Sequence, residues 1–596
     1  MSSSLFRTKK ISAILSEGGD ESHGGGGLKR VLNVRDLTFF GIAAIIGAGS
    51  FSSLGDAVHK GGPGVVFLFI ITGIACAFTA FCYSEFASRI PVAGSAYTYA
   101  YASFGELFAW VIGWALIMEY SIGNIYVAFS WSDYFTSFLH RLNIHIPDYL
   151  ATSYREAHKA VLEHSSNTEL INAWNSAPMI GSLRIILDLP ALVINLLITY
   201  LVYRGIKESR NFSNAMVILK LAIVVLVILV GGGLLFSNGL TFNWTPPNDD
   251  GIRSFMPNGF SGVMAAVSGV FFAYIGFDAV SVLAEESKNP QRDLPRGMIY
   301  SLVICTIVYI LLTLVLTGTV NYRNFEGVGD PLAFIFEEQN LNIPWMQLLV
   351  SICAVIAMTS VLLVFQMGQP RIWMSMSRDG LLPPVFQRIH ERFKTPSFAT
   401  IVTGLVVGIP ILFTDKTFVL DFTSIATLFA FVLVCGGVLL IPRKAKEPGK
   451  FNMPYFNAKI IYPLLIAAAL IILGVFVDDY FTRLFEFNLT KEDTDSVISG
   501  LTVKTPESIA AALADALTAK QTSNLSTIIF WIVCILLALL AFMKNYSLIP
   551  LMGLSTCLYL LTGMSASNWA WFFGWMVLGL ILYFMYGYRK SKLAGK

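Results

Sequence analysis

Near its N-terminus the chain contains the stretch Gly41-Ile-Ala-Ala-Ile-Ile-Gly-Ala-Gly-Ser-Phe-Ser-Ser-Leu-Gly55. This apolar stretch carries Gly47 and Gly49 at its centre, where glycine favours a break in a helix. Glycine is also common where helices pack closely in membranes. If the helix unwinds there, its N–H and C=O groups need protein, water or a polar ligand as partners, because lipid offers none. The stretch therefore predicts either a close helix contact or a ligand site within the membrane.

A second stretch, Phe271-Phe-Ala-Tyr-Ile-Gly-Phe-Asp278, has a comparable glycine interruption in the sixth apolar segment. First and sixth segments correspond if two five-helix halves repeat with inverted topology, and paired interruptions then indicate a transporter site. Helix N-termini favour a carboxylate, and freed carbonyls favour an ammonium group. We therefore expect the zwitterion of an α-amino acid to bind. The expected amides are those of Ala48, Gly49 and Ser50, and the expected carbonyls are those of Ile46, Phe272, Ala273 and Ile275.

The composition identifies a membrane protein. Of 596 residues, 55% are hydrophobic and only 13% are charged, about half the charge of typical soluble proteins. Apolar runs near the bilayer-spanning length of about 20 residues predict fourteen spans and an all-α polytopic fold. The predicted spans begin near Leu37, Val65, Leu107, Leu183, Ala215, Phe260, Gly297, Trp345, Ala399, Leu420, Ile460, Thr527, Leu548 and Trp569.

The distribution of Lys and Arg predicts the orientation. These residues are more frequent in the connections on the same side as the N-terminus, so the positive-inside rule places both termini in the cytoplasm. We expect the protein in the cytoplasmic membrane. The predicted units are a cytoplasmic tail (1–30), a first repeat (31–240) with an outer connection (138–182), a second repeat (255–445), and four C-terminal spans (446–596) with an outer connection (478–526).

Two charged side chains fall within predicted spans. Lys220 lies in the fifth span, where it either snorkels to the interface or faces a polar cavity and exchanges a proton. Glu119 lies about twelve residues into the third span. It is either a carboxyl held in a helix contact, or a group coupled to Lys220 or to a basic substrate side chain. Thr359 in the eighth span is a further candidate for the pocket, although hydroxyls there commonly join helices.

Other classes of function find little support in the sequence. The seven His show no metal-ligand spacing, so we expect no metal and no cofactor. The absence of a Walker motif argues against direct use of ATP, and a net charge of +3 is too small to suggest nucleic acid. The chain also lacks a recognisable nucleophile–base cluster, so we do not expect an enzyme.

Several long motifs resemble one transporter family. They are Lys29-Arg-Val-Leu-Asn33, Cys82-Tyr-Ser-Glu-Phe-Ala87, Pro91-Val-Ala-Gly-Ser-Ala-Tyr-Thr-Tyr99, Glu285-Glu-Ser-Lys-Asn-Pro-Gln-Arg-Asp-Leu-Pro-Arg-Gly297 and Pro370-Arg-Ile-Trp-Met-Ser-Met-Ser-Arg-Asp-Gly-Leu-Leu-Pro383. With these motifs the chain resembles the cationic amino acid transporter family of the amino acid/polyamine/organocation superfamily. The resemblance implies the LeuT-type 5+5 inverted-repeat fold with four additional C-terminal helices.

The same resemblance bears on coupling. Bacterial relatives of that family carry a lysine in span five, near the place where sodium-coupled relatives bind sodium, whereas eukaryotic members generally lack it and act as uniporters. The resemblance therefore implies proton coupling through Lys220. We expect a proton-coupled amino acid importer that works by alternating access. An exchanger or uniporter of the same fold, or a non-transporting sensor, is the alternative. The sequence leaves the substrate side chain and the oligomeric state open.

Overall fold

The fold is built almost entirely of helices. The computed structural model describes residues 5, 7–9, 32–47, 49–90, 95–162, 168–181, 183–205, 210–247, 251–393, 395–440, 451–476, 479–500 and 506–593. Within these residues the strand content is one antiparallel pair, Met179–Ile180 with Leu183–Arg184. The predicted all-α polytopic class is confirmed.

Each predicted span corresponds to a helix or to a pair of half-helices. In chain order the spans are Val34–Ile45 with Leu54–Gly61, Val65–Arg89, Glu106–Arg141, Leu189–Arg204, Arg210–Ser237, Gly259–Ala265 with Val267–Phe272, Pro290–Thr319, Pro344–Arg378, Ser397–Ile411, Lys416–Leu440, Ala458–Phe476, Pro506–Met543, Leu548–Leu561 and Ala566–Leu582. Spans 1 and 6 are the two that consist of half-helices. Shorter helices are Ser95–Ser103, Tyr154–Leu162, Thr168–Ser176, Pro331–Phe334, Tyr480–Leu484, Lys491–Gly500 and Tyr588–Lys590.

Length and hydropathy agree with this assignment. Among the described residues, nine helical segments are long and apolar enough to cross a membrane, and one of them, Val34–Arg89, contains spans 1 and 2. Three shorter apolar helices supply spans 4, 9 and 13. Span 6 does not count as a long helix because it is broken.

The helix starts of spans 4, 7 and 12 differ most from the apolar runs in the sequence. Span 7 begins at Pro290, before the predicted start near Gly297. Span 4 begins at Leu189 rather than near Leu183, because the Asp188 carboxylate accepts the Ala191 N–H at 2.9 Å and Pro190 occupies the first turn. Span 12 begins at Pro506, well before the apolar run. The Ala-rich polar segment continues the same helix, which at 38 residues is about 57 Å long and extends beyond a bilayer core of about 30 Å.

The break in span 1 is the local feature on which the site depends. Asn33 caps the first half-helix reciprocally with Asp36. The helix ends at Ile45, and the next residue, Ile46, has an extended backbone (φ −78°, ψ 92°). A π-helical turn, Gly49–Ser53, then begins the second half. The chain thus changes direction within the membrane, as the glycines predict.

Span 6 is interrupted beside span 1. Its half-helix Val267–Phe272 is followed by a turn and by a 3₁₀ helix, Asp278–Glu286. A Cβ atom on Gly49 would lie 2.5 Å from the Cα of Ala273, so only glycine permits this crossing. Gly276 has φ +114° and lies against the backbone of Ala44, a conformation that side chains rarely adopt.

The remaining spans surround this crossing. Span 3 packs along span 8 and against span 10, and span 7 packs against spans 1 and 2. Span 13 contacts spans 2 and 10, and span 14 contacts span 3. Spans 11 and 12 pack mainly on each other at the periphery, where most of their apolar side chains are exposed to the surroundings.

Candidate functional site

A small cavity lies where the broken helices meet. Eight residues from spans 1, 3, 6 and 8 line it: Ala44, Ile45, Gly49, Val127, Phe272, Ile275, Val361 and Phe365. All eight are buried, so the cavity is closed at both ends. Its free volume of about 10 Å³ is roughly the room that one water molecule needs. Binding of an amino acid therefore requires the surrounding helices to move apart.

Three helix termini converge on this cavity. The first half of span 1 ends at Ile45 and the span 6 helix Val267–Phe272 ends at Phe272, so both present the carbonyl end of a helix. The second half of span 1 starts at Gly49 and presents the amide end. Carbonyl ends favour a cation and amide ends favour an anion. The backbone therefore offers complementary ends to an ammonium and a carboxylate group.

The rest of the wall is apolar. Val127 of span 3 faces Val361 and Phe365 of span 8, and no charged side chain is among the lining residues. Val361 packs directly on span 1, since a Cβ atom on Gly47 would lie 2.6 Å from its Cγ2 atom. A substrate side chain in this cavity would contact hydrocarbon groups.

The structure brings most of the predicted backbone residues together. Gly49, Phe272 and Ile275 line the cavity, and Ala273 contacts Gly49. Ile46 is fully buried at the end of the half-helix. Ala48 lies outside the described residues.

Three predicted site residues already have hydrogen-bond partners in this conformation. The Phe272 carbonyl accepts the Ile275 N–H at 3.1 Å. The Ser50 N–H donates to the Gly47 carbonyl at 3.1 Å, as does its hydroxyl, so this amide is not free to bind a carboxylate. Thr359 lies outside the cavity lining. Its hydroxyl accepts the indole N–H of Trp131 at 2.9 Å and donates to the Val355 carbonyl at 2.7 Å, which is the helix-joining role that the sequence left open.

Lys220 is buried against the broken part of span 1. It lies ten residues into the helix that begins at Arg210, about 15 Å from the helix start, and is 1% exposed. Its Nζ donates to the Ala43 carbonyl at 3.3 Å, one residue from Ala44 in the cavity lining. Because the side chain is buried, it does not snorkel to the interface in this conformation. Its Nζ lies next to the cavity lining.

Glu119 does not line the cavity and lies between it and the Glu106 end of span 3. It precedes Val127 by eight residues on span 3, or about 12 Å along the helix. The side chain is 4% exposed, and its neighbours include Asp278 of span 6 and Thr427 of span 10. Among the described residues, its Oε2 has no hydrogen-bond partner. Glu119 thus belongs to a buried acidic pair at one end of the site.

We call the end of the molecule near Arg141 the outer end and the end near Glu106 the inner end, following the predicted orientation. At the outer end, Lys416 of span 10 forms an ion pair with Asp133 of span 3. Beneath it the Tyr126 ring lies 4.5 Å from that of Phe272. These contacts separate the cavity from the outer surface.

Different contacts close the inner end. The Tyr97 hydroxyl donates to Asp379 at 2.6 Å, and Lys9 forms a 2.9 Å ion pair with the same carboxylate. Glu85 pairs with Arg89 on its own helix, with Nε of the arginine at 2.7 Å. The inner closure therefore joins the N-terminal segment, the helix Ser95–Ser103 and the end of span 8.

Sequence reasoning missed the side-chain wall. Val127, Val361 and Phe365 are ordinary apolar residues in apolar spans, and nothing in their local sequence marks them. The separation of Val361 and Phe365 by four residues places them on one helix face, but the same spacing recurs throughout span 8. Only the packing of spans 3 and 8 on the broken helices identifies these residues.

Comparison with known proteins identifies the family of this chain. The family model for amino acid permeases matches residues 32–483. The chain belongs to the amino acid permease family. Its relatives are transporters rather than enzymes, so this permease transports solutes across a membrane, and the resemblance to cationic amino acid transporters is confirmed.

Three relatives are named for different substrates. The branched-chain amino acid permease BcaP of Bacillus subtilis (strain 168) is 40% identical over 458 residues, covering 76% of this chain and 89% of that protein. The methylthioribose transporter of the same organism is 39% identical over 457 residues, with the same two coverages. The vacuolar cationic amino acid transporter 2 of Arabidopsis thaliana is 35% identical over 439 residues, covering 74% of this chain and 63% of that protein.

Proposed function

We propose that this permease imports neutral amino acids with apolar side chains, driven by a proton gradient, through alternating access. The observation that carries the proposal is the cavity, where one amide end and two carbonyl ends of helices meet beside Val127, Val361 and Phe365. The helix ends suit the zwitterion. A wall without a charged side chain favours an aliphatic substrate over a basic one, since a buried cation without a partner is costly.

Lys220 supports the proton-coupled part of the proposal. Its ammonium group contacts the Ala43 carbonyl next to the cavity, so protonation stabilises the break of span 1. Loss of the proton weakens that contact, since a neutral amine donates a weaker hydrogen bond than an ammonium group, and would favour another arrangement of the half-helix. A single group would then connect proton release to movement of the substrate site. We place both termini in the cytoplasm, so that the proton and the substrate enter the cell together.

Alternative functions make different demands on the same site. An exchanger or uniporter would use the cavity without coupling to Lys220, and a sensor would bind without accumulation. The methylthioribose relative suggests a second substrate class. Methylthioribose has neither the ammonium nor the carboxylate that the converging helix ends favour, so we propose the amino acid.

Uptake into proteoliposomes tests the proposal. We expect Leu, Ile and Val to accumulate when an inward proton gradient is imposed, and Arg, Lys and methylthioribose to show little uptake. Counterflow without a pH gradient is the control for exchange. Accumulation of Arg in preference to Leu would overturn the substrate class. Counterflow without gradient-driven accumulation would overturn the coupling, and binding without either would indicate a sensor.

A further inference from the structure

An apolar groove separates spans 11 and 12 at the periphery of the molecule. Its walls include Pro463, Ala467 and Leu470 of span 11 and Ile535, Ala538 and Phe542 of span 12. The free volume is about 280 Å³, far larger than that of the central cavity. The groove begins at the end of span 12 near Phe542 and follows the two helices for about two turns.

Small side chains create this groove. Ala467 and Ala538 leave space between the helices, whereas bulky neighbours on the outward faces, such as Leu464 (62% exposed) and Ile471 (64%), project away from it. The groove lies in the membrane-spanning part of both helices, and its walls offer almost no polar surface. A hydrocarbon chain is therefore the ligand chemistry that its interior suits.

Two lysines lie at one end of the groove. Lys459 Nζ is 5.8 Å from the centroid of the Phe542 ring, which itself lines the groove. Lys544 follows two residues after that phenylalanine, just beyond the end of span 12. The two chain segments are joined there, since the Ala458 N–H donates to the Tyr546 carbonyl at 3.0 Å. Both cations thus share the predicted cytoplasmic interface.

Neither lysine has a counter-charge among the residues that the structure describes. Both are exposed, and within the described part of the chain no carboxylate lies at ion-pair distance from either of them. Basic residues at the interfacial end of an apolar site between helices are the arrangement that recognises anionic headgroups.

We propose that this groove binds one anionic phospholipid. An acyl chain lies between spans 11 and 12, and the phosphate contacts Lys459 and Lys544. The lipid fills the space that Ala467 and Ala538 leave, and it joins the peripheral helix pair to the membrane around it. The site is separate from the transport cavity and does not depend on the proposed substrate or coupling.

Lipid retention by the purified full-length protein tests this site. Lipid-stripped protein is incubated with phosphatidylglycerol or phosphatidylcholine, washed in detergent, and examined by native mass spectrometry and thermal unfolding. The charge variant is Lys459→Gln with Lys544→Gln, and its matched control is Lys590→Gln at an exposed lysine on the same predicted side. The groove variant is Ala467→Leu, and its control is Ala468→Leu, whose side chain is exposed but does not line the groove.

Each variant has its own expected pattern of lipid retention. The native chain and both controls retain one phosphatidylglycerol per chain and gain thermal stability from it. The double lysine variant loses most of the preference for phosphatidylglycerol over phosphatidylcholine, by about fivefold per lysine, and Ala467→Leu loses retention of both lipids. Equal retention by all variants would overturn the site. A dimer that Ala467→Leu dissociates would show instead that a second copy occupies the groove.

Discussion

Lys220 is a buried charge that costs free energy unless its surroundings compensate for it. Transfer of such a group into the membrane centre costs about 2.5–3.5 kcal/mol on insertion scales. The structure supplies part of the compensation through the Ala43 carbonyl, in the segment where span 1 leaves its helical path. The free energy of burying the Lys220 charge therefore depends on the conformation of span 1. The protonation of Lys220 can in turn favour one conformation of span 1, which is the physical basis of the proposed coupling.

Substitution of Lys220 separates coupling from binding. We expect Lys220→Ala to lose proton-driven accumulation but to retain substrate binding, because the cavity lining remains intact. Lys220→Arg keeps a charge that cannot be released and should lose accumulation as well. Lys590→Ala, at an exposed lysine, is the control. Uptake by Lys220→Ala that still follows an imposed pH gradient would refute the role of this lysine.

Val361 should set the size of the accepted side chain. It forms the cavity wall against Gly47 and is 2% exposed. Val361→Ala should improve uptake of Phe relative to Val by about tenfold, the lower range of effects for a changed methylene in an apolar pocket. Val361→Phe should abolish binding of all tested amino acids. Competition assays measure both effects, and Ile356→Ala, on an exposed face of the same span, should leave the ratio unchanged.

The connection between spans 7 and 8 forms part of the outer closure. Ser52 of span 1 donates its hydroxyl to the Gly329 carbonyl at 3.0 Å, and Ser137 of span 3 donates to Asp330 at 2.9 Å. This loop therefore contacts both the broken helix and its neighbour. A movement that opens the outer end must break these bonds, so the loop participates in the change of access.

The first outer connection strengthens the same closure. Arg155 of its helix Tyr154–Leu162 forms a 2.9 Å ion pair with Asp415, and Glu156 accepts the Lys416 backbone N–H at 3.0 Å. Both contacts hold the start of span 10, where Lys416 pairs with Asp133. The first outer connection, which is only a polar segment in the sequence, thus forms part of the outer closure.

The Asp330 carboxyl should make this closed form dependent on pH. Burial and the nearby Glu337 raise the pKa of Asp330 to about 7, although Ser137 and Arg141 favour the charged form. In the unfolded chain an aspartate has a pKa near 3.9. Between about pH 4 and pH 7 the unfolded chain has released this proton and the folded chain retains it, so stability falls as the pH rises through that window.

Thermal unfolding in detergent across this pH range measures the effect. Asp330→Asn resembles the protonated carboxyl at every pH. Its melting temperature should match that of the native chain near pH 4 and exceed it above pH 7. Asp148→Asn, at an exposed aspartate in the same outer region, is a control for surface charge. A parallel pH profile for Asp330→Asn and the native chain would contradict the prediction.

At the scale of the whole molecule, the C-terminal helices are fixed to the transport core. Trp114 of span 3 stacks on Trp575 of span 14 at 4.7 Å between ring centroids. Each indole N–H donates to the backbone carbonyl of the other, at 2.8 and 3.1 Å. Span 13 packs on spans 2 and 10. The C-terminal helices therefore contact spans 2, 3 and 10, and we expect these contacts to stabilise the protein.

Two glycines of span 14 provide a matched test of this docking. A Cβ atom on Gly579 would lie 2.3 Å from the Trp114 ring, whereas one on Gly574 would meet nothing within 4 Å. Gly579→Val should destabilise the protein by about 1–3 kcal/mol, as overpacking typically does, and should lower the melting temperature. Gly574→Val should leave it nearly unchanged. Equal melting temperatures for the two variants would show that span 14 does not need this contact.

The sequence by itself determined the helices, their number and the breaks. Hydrophobic length, glycine at Gly47, Gly49 and Gly276, and an intramembrane lysine are local properties that do not depend on distant parts of the chain. The starts of spans 4, 7 and 12 were less accurate. A cap at Asp188 and polar helical extensions from Pro290 and Pro506 define these starts, and hydropathy does not show them.

Only the tertiary structure decided which side chains form the cavity. Val127 and Val361 are separated by more than two hundred residues, and helices that are apolar on every face carry no amphipathic pattern to show which face meets which neighbour. The same reason applies to two polar residues. Glu119 was a candidate for the pocket and lies beside Asp278. Thr359 was a candidate as well, and its hydroxyl is hydrogen-bonded to Trp131. In lipid, close packing rather than hydrophobic burial selects the contacting faces, and packing is a property of the assembled molecule.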